Sequence, residues 1–305
     1  EEYDSFRRVT FRQEGILEDD ALAKRLSEHR QVLCIVNSRN LAQELFEEIP
    51  REGAFCLTTL LHPEHRKEKL REIKERLEHH VPCRVIATSL VEAGVDLDFP
   101  CVYRQENGLD ALIQAAGRCN REGTHSPEES KVYLFGLKGD ASVYFAQNIS
   151  ALRQTLRCYE DPTAPEAIAF YFKQYREILG RENLDQKKIM DAFTAGKGIN
   201  GDCFPFATVA REFHLIESET QTVYIPVGEA ELWIEEMEKG KVSRKLMRKL
   251  GQYAVNVYPN HLKALYDAGC VEGIGEGMYV LRDMNQYHED TGLQMDVSTG
   301  YGLFG

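Results

Sequence analysis

No run of about 18 or more apolar residues, the length that a membrane-spanning helix requires, occurs in this 305-residue sequence. No apolar stretch of a secretory signal follows the first residues, which are Glu1-Glu2-Tyr3-Asp4. The sequence also starts without methionine, which indicates a fragment of a longer protein. These absences argue against membrane-embedded and secreted classes, and we expect a protein of the cytoplasm.

Close pairs of cysteine are absent as well. Eight cysteines are present, yet none forms a C-x-x-C pair, and several stand in apolar runs where a thiol behaves as a small hydrophobe. We therefore expect reduced thiols rather than disulfides or zinc. His62 and His65 have the spacing of one helix turn, but no carboxylate or cysteine set completes a metal site beside them. We expect no metal there, and a solvated, charged helix instead.

Excess positive charge is also missing, since 49 Asp and Glu residues against 37 Lys and Arg residues give a net charge of −12. This balance argues against a protein that coats nucleic acid through its overall charge, although a local basic track stays compatible with it. Hydrophobic residues make up 43% of the sequence and aromatic residues 10%, which is enough for a packed core. The length suits one large domain or two of ordinary size.

Short apolar runs alternate with longer charged segments of helical period in residues 1–158. Continuous apolar strands separated by helices are typical of a parallel sheet that is covered on both faces. We therefore predict a doubly wound α/β domain, a fold that binds ligands beyond the carboxyl ends of its strands. The predicted strands are residues 32–36, 54–57, 83–88, 99–103 and 131–135.

Two further regions are predicted after residue 158. Residues 159–201 form a helical linker, within a helical stretch over 143–200 that ends in a glycine-rich loop at 196–201. Residues 202–305 form a smaller α+β C-terminal domain. Its predicted elements are a strand at 222–227, helices at 229–239 and 242–250, and a glycine-rich hairpin at 269–280.

The octad Gln-Ala-Ala-Gly-Arg-Cys-Asn-Arg at residues 114–121 carries the strongest chemical signal. Its arginines, Arg118 and Arg121, stand three residues apart on a predicted helix over 110–119, and at that spacing two helical side chains share a face. Arginine is the residue that spreads positive charge over a transferring phosphoryl group. Alone, the spacing would equally suit two surface arginines bonded to neighbouring carboxylates such as Glu122.

Other parts of a nucleotide-hydrolysing site are missing from the sequence. It contains no G-x-x-x-x-G-K-[ST] loop to hold phosphates and no acidic strand end of the kind that holds magnesium. A domain with such arginines and no phosphate-binding loop is expected to act on a nucleotide that another domain holds.

Three segments resemble motifs of superfamily 2 helicases. Gln114-x-x-Gly117-Arg118-x-x-Arg121 resembles motif VI, residues 87–96 resemble motif V, and residues 32–39 are similar to motif IV. Their order and spacing resemble the second RecA-like domain of that superfamily. Within that superfamily, residues 92–99 and 114–123 most resemble the CRISPR-associated helicase–nuclease of type I interference. Residues 57–59 and 63–66 fit an I-C-like subtype of that family.

The resemblance implies roles for individual residues. Arg118 and Arg121 would be arginine fingers, with Gln114 at the same interface. Asp96, Gly94 and Gly117 would belong to the nucleotide side. The residues implied on the DNA side are Thr88 and Ser89, and with weaker support Ser38, Arg39, Thr59, His65 and Arg66. A strand-end hydroxyl that caps the next turn is the competing interpretation of Thr88, and a turn or cap residue that of Asp96.

The resemblance also implies partners that lie outside this sequence. ATP and Mg²⁺ would be held mainly by a first RecA-like domain, and an HD nuclease domain would bring its own divalent metals. Single-stranded DNA would be the track, and a crRNA-guided surveillance complex the docking partner. Two alternatives stay open: the RecA-like half of another superfamily 2 DNA or RNA helicase, and a non-catalytic nucleic-acid-binding or inhibitory module with relict motifs.

A basic segment remains outside these motifs. Lys241, Arg244, Lys245, Arg248 and Lys249 have the spacing of one helix face, with Val242, Leu246 and Leu250 opposite. Cations in such a row can follow the phosphates of a single strand. A solvated face balanced by the glutamates just upstream is an equally good interpretation.

Overall fold

The computed structural model describes residues 8–139, 143–185, 187–194, 197–198, 201–202, 205–213 and 220–297. The described residues form two compact units. The first contains those of 1–106, 110–140 and 220–305, and the second contains those of 107–109 and 141–219. The boundaries at 158 and 201 stay a prediction of domain organisation.

A six-stranded sheet is the centre of the first unit. Its strand order is β1-β6-β5-β2-β4-β3, and every neighbouring pair is parallel. The predicted doubly wound α/β fold is therefore confirmed. The strands are β1 (Thr10–Leu17), β2 (Gln31–Ile35), β3 (Ala54–Leu57), β4 (Cys83–Ala87), β5 (Cys101–Gln105) and β6 (Lys131–Leu137). The helices between them are α1 (Asp19–Glu28), α2 (Arg39–Glu48), α3 (Pro63–Glu78) and α4 (Leu109–Ala116).

The apolar runs of the sequence become the centre of this sheet. Residues 32–36, which comprise most of β2 and the residue that follows it, are at most 1% exposed. Leu45 and Phe46 of α2 pack in the same core cluster. β1 and α1 were not predicted from the sequence. β1 is an edge strand with several exposed positions, so it carries no continuous apolar run.

The second unit is mainly helical. It contains α5 (Ala146–Cys158), α6 (Pro165–Leu179), α7 (Arg181–Leu184), α8 (Ile189–Thr194) and α9 (Phe206–Glu212). α5 and α6 bury Leu152 and Tyr171. The predicted loop at 196–201 is partly wrong, because β7 (Lys197–Gly198) pairs with β8 (Gly201–Asp202) in an antiparallel ladder. The other residues of that loop lie outside the described residues.

A four-stranded mixed sheet forms the C-terminal part of the first unit. Its order is β10-β9-β12-β11, with β12 and β9 parallel and the other pairs antiparallel. This confirms the predicted smaller α+β region and the hairpin at 269–280. The strands are β9 (Gln221–Tyr224), β10 (Ala254–Val257), β11 (Val271–Gly275) and β12 (Met278–Leu281), followed by the pair β13 (Tyr287–His288) and β14 (Gly292–Leu293). The helices are α10 (Glu229–Glu238), α11 (Arg244–Leu250) and α12 (Pro259–Asp267).

A small joint connects the two sheets of the first unit. The Gln43 side chain on α2 donates to the carbonyls of Thr291 and Leu293 at 3.1 and 3.0 Å. The Leu293 N–H donates to the Leu60 carbonyl at 3.0 Å, and both leucine side chains are fully buried. Gly292 makes this approach possible: its φ is +76°, and a Cβ there would lie 2.4 Å from the Leu60 oxygen.

Within the described residues, no helix is long and apolar enough to cross a membrane. In the same part of the chain, no group of three or more His, Cys, Asp or Glu side chains is arranged to hold a metal ion.

Candidate functional site

Three predicted DNA-side segments lie at the same edge of the parallel sheet. Ser38, Thr59 and Thr88 follow the carboxyl ends of β2, β3 and β4. Ala87, the last residue of β4, is paired with Ile35 on one side and with Leu57 on the other. The fold therefore brings these hydroxyl residues together at the edge where parallel α/β sheets bind ligands.

The hydroxyls at this edge differ in their surroundings. Ser38, Thr59 and Ser89 are exposed, while Thr88 is buried. Ser38 caps α2 by accepting from the Leu41 N–H at 3.5 Å. Thr88 precedes the 3₁₀ turn Ser89–Val91, and in the described chain its side chain makes no capping hydrogen bond to that turn. The capping interpretation of Thr88 therefore does not apply.

Two other DNA-side candidates, both arginines, contact protein groups. The Arg39 guanidinium donates to the Asn256 carbonyl at 3.1 Å and lies 4.8 Å from the centre of the Tyr258 ring. Arg66 donates to the Leu61 carbonyl. These contacts hold both arginines against their own domain, so their predicted role toward DNA has less support than that of the edge hydroxyls.

His65, the remaining candidate, and His62 are buried, which corrects the expectation of a solvated helix at this turn. The His62 ring lies 5.0 Å from the Tyr253 ring and 5.6 Å from the Tyr287 ring, and His65 Nδ1 lies 3.0 Å from the Tyr287 hydroxyl. Burial lowers the pKa of His62 to about 4 and also lowers the pKa of His65. The tyrosines that cover them come from the C-terminal region, nearly 200 residues or more along the chain.

The octad does not form one helix, which corrects the predicted helix over 110–119. α4 ends at Ala116, and the Phe99 N–H donates to the Arg118 carbonyl at 2.9 Å while the Asn120 N–H donates to the Phe99 carbonyl at 3.0 Å. These hydrogen bonds pair residues 118–120 with Phe99 in place of a continued helix, and Asn120 has a φ of +48°. Arg118 and Arg121 therefore do not share a helix face.

The two arginines have different environments as a result. Arg118 is 7% exposed, and its guanidinium donates to the carbonyls of Val91 and Glu92 at 2.7 Å each. Burial lowers the pKa of Arg118, and Arg121 is the next cause of that shift. Arg121 is half-exposed and its Nε lies 2.9 Å from Asp96 Oδ1. Gln114 and Gly117 are exposed.

The nucleotide-side candidates Gly94 and Asp96 lie on the loop that follows the 3₁₀ turn. Gly94 has a φ of +72° in the left-handed region, which favours glycine, and Asp96 is exposed. Asp98 accepts from the Arg121 N–H at 2.7 Å and from the Glu122 N–H at 3.1 Å. Sequence analysis missed this role of Asp98, which fixes the backbone that carries Arg121.

A buried ion pair that sequence analysis also missed lies between these segments. Arg104 Nε on β5 is 2.8 Å from Glu92 Oε1, with the two side chains 2% and 7% exposed. Arg104 also donates to the Asn37 side-chain oxygen at 2.8 Å. The available signal was an arginine inside the apolar run Cys101-Val102-Tyr103-Arg104.

We call the sheet edge that carries Ser38, Thr59, Thr88 and Ser89 the hydroxyl edge. The hydroxyl edge and the end of the octad lie at opposite ends of the sheet. Ala87 is level with Ile35, and Ile35 is level with Arg104. Cys119 bridges instead to Phe99, five residues before Arg104. At about 3.3 Å per residue, the two levels are about 16 Å apart along the strands.

Comparison with known families finds similarity in the segment that carries these residues. Residues 28–124, which contain the hydroxyl edge and the octad, match the model of the C-terminal region of the CRISPR-associated nuclease/helicase Cas3. Over these residues the chain is similar to the Cas3 C-terminal family. The Cas3 of Methanothermobacter thermautotrophicus is 27% identical over 148 residues, or 46% of this chain and 18% of that protein. The Cas3 of Haloferax volcanii is 28% identical over 147 residues, or 38% of this chain and 15% of that protein.

Solved structures show the same fold. A crystal structure of T. fusca Cas3 with ADP covers 90% of this chain at 14% identity, with a TM-score of 0.55. A CRISPR RNA-guided surveillance complex before nicking contains a chain that matches 90% of this one at 16% identity, with a TM-score of 0.54. The parallel sheet is therefore RecA-like. This chain spans less than a fifth of the curated relatives and 39 and 41% of these two solved chains.

Proposed function

We propose that this chain is the C-terminal part of an ATP-dependent single-stranded-DNA helicase with linked nuclease activity that acts in CRISPR interference. It supplies the second RecA-like domain, which completes an ATP site and contacts the DNA. The match of residues 28–124 to the model of the Cas3 C-terminal region supports this assignment. The I-C-like subtype stays a prediction.

The observation that carries the proposal is the half-exposed guanidinium of Arg121 at the end of the octad. An arginine finger must be accessible to a phosphoryl group on another domain. Asp96 holds the Arg121 side chain and Asp98 holds its backbone, so the group is oriented before the nucleotide arrives. We assign the primary finger role to Arg121, because Arg118 is committed to two backbone carbonyls.

The nucleotide and its metal would be held mainly elsewhere. The sequence has no phosphate-binding loop, so ATP and Mg²⁺ would bind on a first RecA-like domain, with Gln114, Gly94, Asp96 and Gly117 facing them. The divalent metals of an HD nuclease domain would likewise lie outside this chain. A crRNA-guided surveillance complex is the proposed docking partner, in line with the complex that contains a similar fold.

Single-stranded DNA would cross the hydroxyl edge. Thr88 and Ser89 would meet its phosphates through hydroxyl and backbone N–H groups, with Ser38 and Thr59 beside them. Arg39, His65 and Arg66 would support this surface from behind, because their side chains contact protein groups.

The test is Arg121→Ala in the full-length protein. Loss of an arginine finger should lower the DNA-stimulated ATPase rate by about 1,000-fold or more. Arg71→Ala, which removes an exposed arginine of α3, is the matched control and should leave the rate within about twofold. A wild-type rate in Arg121→Ala would refute the finger assignment. Stimulation by single-stranded RNA rather than DNA would instead favour another superfamily 2 helicase.

A further inference from the structure

The Glu92–Arg104 ion pair is the most deeply buried pair of opposite charges among the described residues. Neither residue belongs to the predicted hydroxyl edge or to the octad. Arg104 extends from β5 toward the segment that follows β4, where Glu92 lies one residue beyond the 3₁₀ turn Ser89–Val91. The pair therefore ties a strand of the sheet to the segment that begins with Thr88.

This pair is not explained by stability alone. Taking two charges out of water costs several kcal/mol for each ion, and well-packed apolar side chains of similar volume are often as stable or more so. The neighbouring positions Val102 and Tyr103 on β5 are buried and carry no charge, so the local environment accepts apolar groups. A charged pair at this position points to a role that an apolar pair cannot fill.

The contacts around Glu92 join all three motif segments. Its carboxylate meets Arg104, which also donates to the Asn37 side chain of the segment after β2. Its carbonyl accepts from Arg118 of the octad at 2.7 Å, and so does the carbonyl of Val91. A displacement of residues 91–92 must therefore change contacts on the side of Thr88 and on the side of the octad.

We propose that Glu92 and Arg104 are positioning residues that couple DNA occupancy at Thr88–Ser89 to the placement of Arg121. DNA that shifts the 3₁₀ turn moves Val91 and Glu92, and their carbonyls move the guanidinium of Arg118. Arg118 and Arg121 lie on the same short turn after α4, so the movement reaches the finger across the sheet. This inference rests on the proposed function, because it requires both a DNA-side segment and an arginine finger.

The experiment replaces the pair with apolar groups and measures coupling separately from stability. Glu92→Met, Arg104→Met and the double variant are prepared in the full-length protein. The thermal midpoint and the ATPase rate with and without single-stranded oligothymidylate are measured. Each single variant leaves one buried charge unpaired, which should destabilise the fold strongly. The double variant should recover the wild-type midpoint, yet its stimulation ratio, the rate with DNA divided by the rate without, should fall at least tenfold.

A matched control uses an exposed pair of the same composition. Arg282 Nε and Glu272 Oε2 lie 2.8 Å apart with side chains 41% and 63% exposed. The double variant E272M/R282M should keep the wild-type stimulation ratio. Glu92→Gln, which keeps the shape of the side chain and removes its charge, should lower the ratio in the same direction as the double methionine variant.

The outcomes separate this inference from the proposed function. If E92M/R104M recovers both the thermal midpoint and the stimulation ratio, or does not fold, the pair is a structural element and the inference is overturned. A wild-type protein without DNA stimulation would overturn both. Undiminished ATPase in Arg121→Ala would overturn the proposed finger, whereas the coupling inference is judged on the stimulation ratio of the pair variants.

Discussion

The parallel sheet and the C-terminal region of the first unit use positive charge in opposite ways. In the parallel sheet, Arg104 and Arg118 are buried and bonded to groups of other motif segments. In the C-terminal region, Arg248 and Lys245 on α11 are exposed. Buried guanidinium groups fix the relative positions of segments, whereas exposed ones are available to a phosphate chain.

The basic segment of the C-terminal region differs in part from its sequence-based description. α11 begins at Arg244 with Ser243 as its cap, so Lys241 and Val242 lie before the helix and Val242 is exposed. Leu246 and Leu250 are buried as predicted. All five cations of 241–249 are exposed, and no carboxylate of the described chain forms an ion pair with them. The Lys249 Nζ lies 4.4 Å from the centre of the Trp233 ring.

The joint between the two regions gives the largest expected effect on stability. Gly292→Ala would force a side chain into a left-handed conformation and against the Leu60 backbone. We expect a loss of about 3 kcal/mol in the free energy of unfolding, from backbone strain and the disrupted contact with Leu60. Urea unfolding of the chain measures it.

Gly269→Ala is the matched control for that variant. Gly269 has a φ of +71°, and a Cβ there would meet nothing within 4 Å. Its cost should be only the backbone strain, about 1 to 2 kcal/mol. Equal losses in the two variants would show that close approach to Leu60 does not hold the regions together.

The buried histidines His62 and His65, which contact Tyr253 and Tyr287, predict a dependence on pH. The pKa of folded His62 is lowered to about 4 from the ordinary value of 6.5. As the pH falls from 6.5 toward 4, the unfolded chain takes up a proton that the folded chain does not, so stability decreases by about 1.4 kcal/mol for each pH unit. At pH 5 the expected loss is about 2 kcal/mol, measured by urea unfolding.

His62→Asn should flatten this pH profile. Asparagine retains an acceptor for the His65 N–H at the start of α3 but does not titrate in this range. The control His80→Asn changes an exposed histidine and should leave the slope between pH 6.5 and 5 unaltered. An unaltered slope in His62→Asn would show that other groups cause the acid sensitivity.

The exposed cations of α11 give the smallest expected effect. If they follow a phosphate chain, Lys245→Ala with Arg248→Ala should weaken binding of oligothymidylate by about tenfold, or about 1.4 kcal/mol. The slope of log affinity against log salt should become shallower by about 1.4, since each phosphate contact contributes about 0.7 for a single strand. Fluorescence anisotropy with the 305-residue chain measures both.

Lys24→Ala with Lys74→Ala removes the same charge from exposed positions on α1 and α3. If this control weakens binding as much as the α11 variant, net charge rather than the basic helix determines the affinity. The α11 cations would then be a solvated face, the second interpretation of that segment.

Much of the parallel sheet was predictable because its signals are local. The continuous apolar runs that became β2, β4 and β6 stand between charged segments of helical period. The residue types of the octad and of residues 92–99 also pointed to the family whose model matches residues 28–124. β1 escaped prediction because an exposed edge strand has no apolar run to reveal it.

The sequence by itself determined that this chain has a doubly wound parallel sheet, and that its hydroxyl residues follow strand ends. These features depend on the order and periodicity of residues that are neighbours along the chain. Only the tertiary structure decided that Arg118 is buried while Arg121 is half-exposed. The reason is that Phe99, some 20 residues upstream, forms backbone hydrogen bonds with Arg118 and Asn120 just after the end of α4. It also decided that Arg104 pairs with Glu92 and that His62 lies beneath Tyr253 and Tyr287. Burial and charge pairing depend on which distant elements pack together, and this information is absent from local sequence patterns.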